Sequence, residues 1–447
     1  MDTLLNTLKE VILDSQEMPP KPSIPRQMEI QTVPGKATVC IGVRRSGKST
    51  FLFQCMQKLR QNISDKNIFY LNFFDDRLRA LQQENLDLII EAYFSLYPEK
   101  KSVETIYCFF DEIQVAFGWE AFIDRLLRSE NCEIYISGSS AQMLSKEIAT
   151  QMRGRAISWE MFPFSFGEFL DYKGIKLAQK STAGTFALSS KKRLHIQKAC
   201  EEYWQSGSFP EVLGLDAGLR RKIHQEYWGA MLFRDLIERH DIAHPKAVID
   251  LAHYLVDNTA SLYSINKLTN YLKSLGHKMP KSSVSDCLEW FEDAYILFTV
   301  RICDASLKRA NANPKKIYCI DHALVLSISS GILINSGHLL ENLVFITLRR
   351  ITADIFYYKT KSGREVDFII KQQGRIKMLV QVCETLSEPK TRKREITALW
   401  QAMAEQKLSH GLIITRHEEE LLQQDGREIR IVPLWRFLLE MPSNILP

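Results

Sequence analysis

Apolar and polar positions along the chain change rhythm twice. From Lys36 to about Leu170, short unbroken apolar runs alternate with segments in which apolar residues recur every three to four positions. The runs are ATVCI (37–41), IFYLNF (68–73), TIYCFF (105–110) and CEIYIS (132–137), and helical periods fill 49–62 and 120–129. Runs so short and so apolar suit strands buried on both faces, and their alternation with helices implies a parallel sheet covered on either side. The expected fold is α/β, a doubly wound parallel sheet.

The N-terminal stretch reads as an amphipathic helix followed by a connector in which Pro19, Pro20, Pro22 and Pro25 exclude further helix. A polar, small-residue stretch at 174–193 reads as a linker. A helix-rich block then runs to about Asp304, and strand signals return from Ile317 onward as IFYY, EVDFII, MLVQVC, GLIIT and IRIVPLW. The domain expectation is therefore 1–33 helix and connector, 34–173 α/β core, 174–193 linker, 194–305 helical block and 306–447 C-terminal α/β block. No fixed-period repeat is visible.

Composition agrees with several domains: 447 residues with 45% hydrophobic and 25% charged provide several cores and too little charge for disorder. The net charge of +5 does not by itself announce nucleic acid, so any basic face must be local. No apolar run approaches the ~18 residues of a membrane span, and MDTLLNTLKEVILDSQE lacks the basic start and cleavage site of a secretory signal. The nine cysteines are scattered, with no CxxC pair and no Cys/His ligand spacing. A reducing cytoplasm without structural zinc or disulfides is the expectation.

The first candidate site is Gly42-Val43-Arg44-Arg45-Ser46-Gly47-Lys48-Ser49-Thr50, which satisfies G-x-x-x-x-G-K-[ST] between a predicted strand and a predicted helix. Glycines let the backbone N–H groups wrap phosphate oxygens, and the helix directs its positive end at the same anion. Lys48 reaches the outer phosphates, and Ser49 offers a hydroxyl to Mg²⁺. TIYCFF ends in Asp111-Glu112, an acidic pair where a strand exits: Asp111 to bind the metal and Glu112 to polarise an attacking water. The next run ends in SGSS, where Ser139 or Ser140 can sense the outermost phosphate, a plain Ser/Gly turn being the alternative. In MRGR, Arg153 and Arg155 are candidates to stabilise transition-state charge within the subunit or across to a neighbour, against the alternative of a surface turn.

GVRRSGKST, FFDEIQVAFGWE, ISGSSAQML, MRGR and FPFSFGEFL together resemble the AAA+ P-loop ATPases in which an ATPase core is joined to a C-terminal domain of unknown function. The likeness continues through YWQSGSFPEVL, FRDLIERHDI, HLLENLVFITL and EVDFII. It implies ATP and Mg²⁺ as ligands, Walker A roles for Gly42, Gly47, Lys48 and Ser49, and Walker B roles for Asp111 and Glu112. Sensor and arginine roles follow less directly.

In the helical block, Leu268, Tyr271 and Leu272 form one stripe, Gly276 and Pro280 interrupt it, Ser282 or Ser283 can cap a second helix, and Val284, Leu288 and Phe291 form the next stripe. Helix, turn, helix and apolar strand suggest a winged-helix module. Asp286, Glu289 and Glu292 make its second helix acidic for a DNA groove, leaving protein contact or a structural role equally open. In the last block Glu341, Asp367 and the strand MLVQVC resemble a restriction-endonuclease-like layout, but Gln381 and Cys383 stand where that chemistry needs an acid and a lysine. A degenerate nuclease-like fold is expected. A basic run, KTRKR at 390–394, follows.

The functional expectation is an Mg²⁺-dependent ATPase that couples nucleotide state to domain rearrangement on a protein or nucleic-acid partner. The alternatives are an ATP-binding switch with little turnover and an ATP-gated nuclease. No membrane partner is expected, DNA contact through the last two blocks is one option, and oligomerisation is open.

Overall fold

The computed structural model describes residues 2–138, 152, 154–177, 188–329 and 335–444. The chain forms two compact units, Met1–Pro163 and Phe164–Pro447.

In the first unit, the apolar runs become the strands β1 (Ala37–Ile41), β2 (Ile68–Asn72), β3 (Ile106–Asp111) and β4 (Cys132–Gly138), joined by β5 (Ala156–Glu160). They form one sheet in the order β2-β3-β4-β1-β5, with every neighbouring pair parallel. Burial on both faces explains their lack of polar alternation. On one face Leu52 and Met56 of the helix Lys48–Leu59 meet Phe109 and Tyr135, whose rings stack at 4.5 Å. On the other, Phe69 and Phe110 pack edge to face, with Tyr93 of the helix Leu88–Leu96 against Phe69.

The N-terminal helix Asp2–Glu17 buries Leu8, Val11 and Ile12 and covers the outer edge of β2. There Ser15 Oγ accepts the Tyr70 amide at 3.1 Å and Gln16 Nε2 donates to Ile68 O at 3.2 Å, so the edge strand offers fewer free groups for pairing. The proline-rich connector then follows the helix Lys48–Leu59. Gln54 Nε2 donates to Ile24 O at 2.7 Å, and the Arg60 guanidinium donates to Ser15 O and Met18 O at 3.0 and 2.9 Å.

The second unit begins with the helix Phe166–Tyr172, started by a reciprocal Ser165–Glu168 capping box. Helices Ser190–Ser206, Ala217–Ala230 and Pro245–Asp257 follow, the second running into a π-helical segment, Met231–Ile237. Next come β6 (Leu262–Tyr263), helices Ile265–Ser274 and Lys281–Asp293, β7 (Leu297–Val300) and β8 (Lys315–Cys319). β6 and β7 both pair antiparallel with β8, giving the order β6-β8-β7. The predicted stripes are buried at Leu268, Leu272, Val284, Leu288 and Phe291, with Cys287 added. Two details differ from expectation. The second helix starts directly after Pro280, so Ser282 and Ser283 lie inside its first turn and do not cap it. The sheet also runs past residue 306, because β8 supplies the pairing partner of β7.

Helices His322–Ile328 and Ser336–Arg349 lead to the last sheet, built from β9 (Ile355–Lys359), β10 (Glu365–Gln372), β11 (Arg375–Val382), β12 (His410–Thr415), β13 (Glu420–Gln424) and β14 (Arg427–Pro433). Its order is β13-β14-β12-β11-β10-β9. The pairs β9/β10, β10/β11 and β13/β14 are antiparallel, and β11/β12 and β12/β14 are parallel. The parallel step from β11 to β12 is made through the helix Pro389–Gln406, whose Ala398, Leu399, Ala402 and Met403 pack on Ile369, Leu379 and Ile413. No helix among the described residues is long and apolar enough to cross a membrane.

Candidate nucleotide site and an acidic cleft

β1 ends at Ile41, and the chain turns through 42–47 before the helix that starts at Lys48. Gly42 cannot carry a side chain: a Cβ there would lie 2.1 Å from Met161 O and 3.0 Å from its carbonyl carbon. Gly47 takes φ +96° at the helix start, the left-handed conformation that glycine adopts without a Cβ penalty. Val43 and Ser46 are buried, Arg44 and Ser49 half-buried, and Arg45 and Thr50 exposed. The hydroxyl of buried Ser46 has no hydrogen-bond partner among the described residues. Lys48 is 5% exposed and folds back to donate to Gly42 O at 3.0 Å and Val43 O at 2.9 Å. The loop is thus a cradle whose lysine bonds two of the loop's own carbonyls.

Strand register sets the acid beside this loop. Asp111 is level with Ser137, and Ser137 with Cys40, so the ends of β3, β4 and β1 form one row below the turn. Tyr70 OH donates to Asp111 Oδ2 at 2.6 Å, and Ser137 Oγ donates to Asp111 Oδ1. Burial, reinforced by the Asp111 carboxylate, drives the Tyr70 hydroxyl well above its ordinary pKa, so it remains a donor. Glu112 follows with φ +57°, and Gln114 Nε2 donates to its Oε2.

Other sequence candidates fall elsewhere. Ser139, Ser140 and Arg153 lie outside the described residues. Arg155 precedes β5, at the end of the sheet where Ala37 is level with Ala156, and its Nε is 3.5 Å from Asp124 Oδ1. The phosphate loop leaves the opposite end of β1, about 13 Å away by strand rise. Within one chain, the structure does not bring Arg155 to the loop.

Two groups escaped the sequence reading. Ser137, inside the β4 run, touches Asp111 directly. Arg26, from the connector, donates through Nη1 to Ser46 O and through Nη2 to Phe162 O, both at 2.6 Å, pinning the loop to the chain that follows β5. A lone arginine among prolines carries no periodic signal that could have marked it.

The second unit holds a cleft of about 580 Å³ lined by Glu341, Glu365, Asp367, Gln381, Cys383 and Glu395 among others. Asp367 accepts the Val382 amide at 2.9 Å and donates its own amide to Gln381 Oε1 at 3.3 Å, while Gln381 Nε2 donates to Glu395 Oε2 at 2.6 Å. Cys383 Sγ donates to Thr385 O at 3.0 Å, and burial pushes its thiol up to about 11. From β8, Lys316 Nζ enters the cluster at 2.9 Å from Glu341 Oε1, 2.9 Å from Glu365 Oε1 and 2.8 Å from Asp367 Oδ1. Tyr318 OH adds a donor to Glu341 Oε1 at 2.7 Å. Burial alone lowers the Lys316 pKa, but Asp367 and Glu341 outweigh it and raise it well above the ordinary lysine value. Burial, then the Asp367 charge, raises Glu341 to about 7.

A strand, a G-x-x-x-x-G-K-S turn, a helix and a strand-end acid in register make the first unit a P-loop core. An AAA domain family matches residues 34–170, and two domains of unknown function, DUF8612 and DUF4143, match 197–332 and 336–437. An uncharacterized protein of Methanocaldococcus jannaschii is 36% identical over 442 residues, spanning 96% of this chain and 95% of its own. A second, from Haemophilus influenzae, is 31% identical over 353 residues, 78% of this chain and 83% of its own. The chain belongs to this family of AAA+ P-loop ATPases with C-terminal domains of unknown function. Similar solved structures include a Walker-type ATPase of Pyrococcus abyssi (15% identity, TM-score 0.39, 73% of this chain and 94% of that one). The Aeropyrum pernix ORC1 protein in complex with DNA is another (13% identity, TM-score 0.30, 74% and 92%).

Proposed function

We propose that the first unit binds and hydrolyses ATP with Mg²⁺ and that this cycle rearranges the second unit on a protein or nucleic-acid partner. The observation that carries the reading is the cradle itself: a loop closed to any Cβ at Gly42, a buried Ser46 hydroxyl with no partner among the described residues, and Lys48 bonded to carbonyls of that loop. These residues fit a triphosphate. Backbone N–H groups of 43–48 wrap the phosphates, and Lys48 exchanges its carbonyls for phosphate oxygens, which are stronger, charge-assisted acceptors. Ser49 and Asp111 would hold Mg²⁺, which when bound neutralises charge on the outer phosphates. Glu112 orients and polarises water, and Ser137, bonded to Asp111, is placed to report on the site. A finger role for Arg153, or for Arg155 across a subunit boundary, belongs to an assembled state, with oligomerisation as its condition.

In the second unit, the order helix, β6, helix, helix, β7, β8 supports a winged-helix reading. The helix Ser336–Arg349 followed by β9, β10, β11, a helix and β12 supports a degenerate nuclease-like one. Neither needs a membrane, and a cytoplasmic location suits both.

A switch with little turnover is the second reading, favoured by one contact: Gln114 holds the Glu112 carboxylate that must turn to water. Turnover by wild type, Lys48→Ala, Glu112→Gln and Gln114→Ala separates the two. The ATPase reading expects wild-type hydrolysis lost in Lys48→Ala and Glu112→Gln, with nucleotide binding retained in Glu112→Gln. Wild-type turnover equal to that of Lys48→Ala, rising only in Gln114→Ala, supports the switch.

A further inference from the structure

A nuclease-like C-terminal fold implies a divalent metal between its acids, and the residues present do not fit one. Among the described residues no three His, Cys, Asp or Glu side chains are arranged to hold a metal ion. Gln381 replaces an acid with a neutral amide already committed to Asp367 and Glu395. The place where three carboxylate oxygens converge contains the Lys316 ammonium. Its 2.8–2.9 Å separations are those of ammonium–carboxylate pairs, two of them hydrogen bonds, far from the ~2.0–2.1 Å of Mg²⁺–oxygen contacts.

We propose that Lys316 is the resident cation of this cleft, a side chain from the β6-β8-β7 sheet that takes the metal's place and locks that sheet to the C-terminal one. Two of the ammonium's donors bond Glu341 from the helix Ser336–Arg349 and Asp367 from β10, and Glu365 of β10 adds an ion pair at 2.9 Å. The lysine side chain is only 4% exposed, so its ammonium is held away from bulk solvent.

β8 is itself anchored to the same helix. Asn342 donates Nδ2–H to Cys319 O at 3.0 Å and accepts the Cys319 amide through Oδ1 at 2.7 Å, so the strand that carries Lys316 is fixed to the helix that carries Glu341. Tyr318, two residues along on the same face of the strand, stacks on Phe345 at 4.3 Å and donates to the Glu341 oxygen that Lys316 shares. The cluster is therefore a built joint between two sheets. It goes beyond the nucleotide-site reading and stands whether or not the first unit hydrolyses ATP.

The test uses the full chain carrying Ser49→Ala, without nucleotide, to remove metal uptake at the phosphate loop. Mn²⁺ binding is followed by electron paramagnetic resonance and stability by thermal unfolding. The parent should take up no Mn²⁺ that Asp367→Asn removes. Lys316→Met should lower Tm by at least about 5 °C, because it strands buried carboxylates. Adding Glu341→Gln and Asp367→Asn to Lys316→Met should recover most of the loss. A Mn²⁺ site lost in Asp367→Asn overturns the proposal in favour of a metal cleft with Lys316 as its working lysine. So does Lys316→Met with parental Tm. If Lys316→Met alone does not fold, the neutralised triple variant should, and its failure also overturns the proposal.

Discussion

Replacing Arg26 by Ala tests whether the connector positions the phosphate loop. Among the bonds of the guanidinium are those to Ser46 O inside the loop and to Phe162 O beyond β5, each 2.6 Å. A charged hydrogen bond contributes about 1.5–3 kcal/mol, and half-burial of the arginine reduces this to about 1–1.5 kcal/mol each. The stability cost is then about 2–3 kcal/mol, or roughly 4–12 °C in the unfolding of a unit of this size. Of these two bonds the one to Ser46 lies in the loop, and its loss should cost nucleotide affinity a roughly 5- to 13-fold rise in Kd. Scanning calorimetry and titration with a fluorescent ATP analogue read the two quantities separately. Arg26→Lys, which can reach one carbonyl but not fork to both, should fall between. A normal Kd in a destabilised Arg26→Ala protein refutes positioning and leaves only a structural brace.

Gly42→Ala must displace Met161, because its Cβ would lie 2.1 Å from that carbonyl oxygen; loss of nucleotide binding with the second unit still folded by circular dichroism is the expected result. Asn342→Leu leaves the Cys319 amide and carbonyl unpaired in a fully buried setting, costing about 2–5 kcal/mol of unfolding free energy, read as a lower denaturant midpoint for the second unit. His240, stacked on Trp290 at 4.4 Å, is lowered to about 4 by burial and then by Arg239. Its folded value lies below the unfolded 6.5, so the unfolded chain takes the proton first as pH falls. Its contribution is complete above pH 6.5 and is lost between 6.5 and 4, by about 1–2 kcal/mol after discounting for partial exposure. His240→Phe should flatten that part of the stability profile measured by urea unfolding.

What the chain shows before folding depends on whether a residue's partner is local. The runs at 37–41, 68–73, 105–110 and 132–137 become strands within a residue of their predicted ends, since burial on both faces leaves no polar interruption to misread. The loop is legible because Gly42, Gly47 and Lys48 work at fixed spacing on one turn, and Asp111 because it ends an apolar run. β13 is missed because ELLQQ is an exposed edge strand with no buried alternation. Arg26 meets a carbonyl 136 residues away, and Lys316 meets acids 25 and 51 residues on. In NPKKIYC nothing local separates Lys315 from Lys316 except strand period, which sends the second lysine and Tyr318 to one face.

Lys48 and Lys316, both buried lysines, differ in what they are bonded to, and that difference assigns their roles. Lys48 donates to two carbonyls of its own loop, and an incoming phosphate offers charge-assisted acceptors that compete with them. Lys316 already has three carboxylates at ammonium distance, so a divalent ion could enter only by removing a buried charge from its anionic partners. The first arrangement favours exchange and the second resists it. The same residue type therefore serves as a ligand-responsive group in the P-loop unit and as a fixed joint in the C-terminal one.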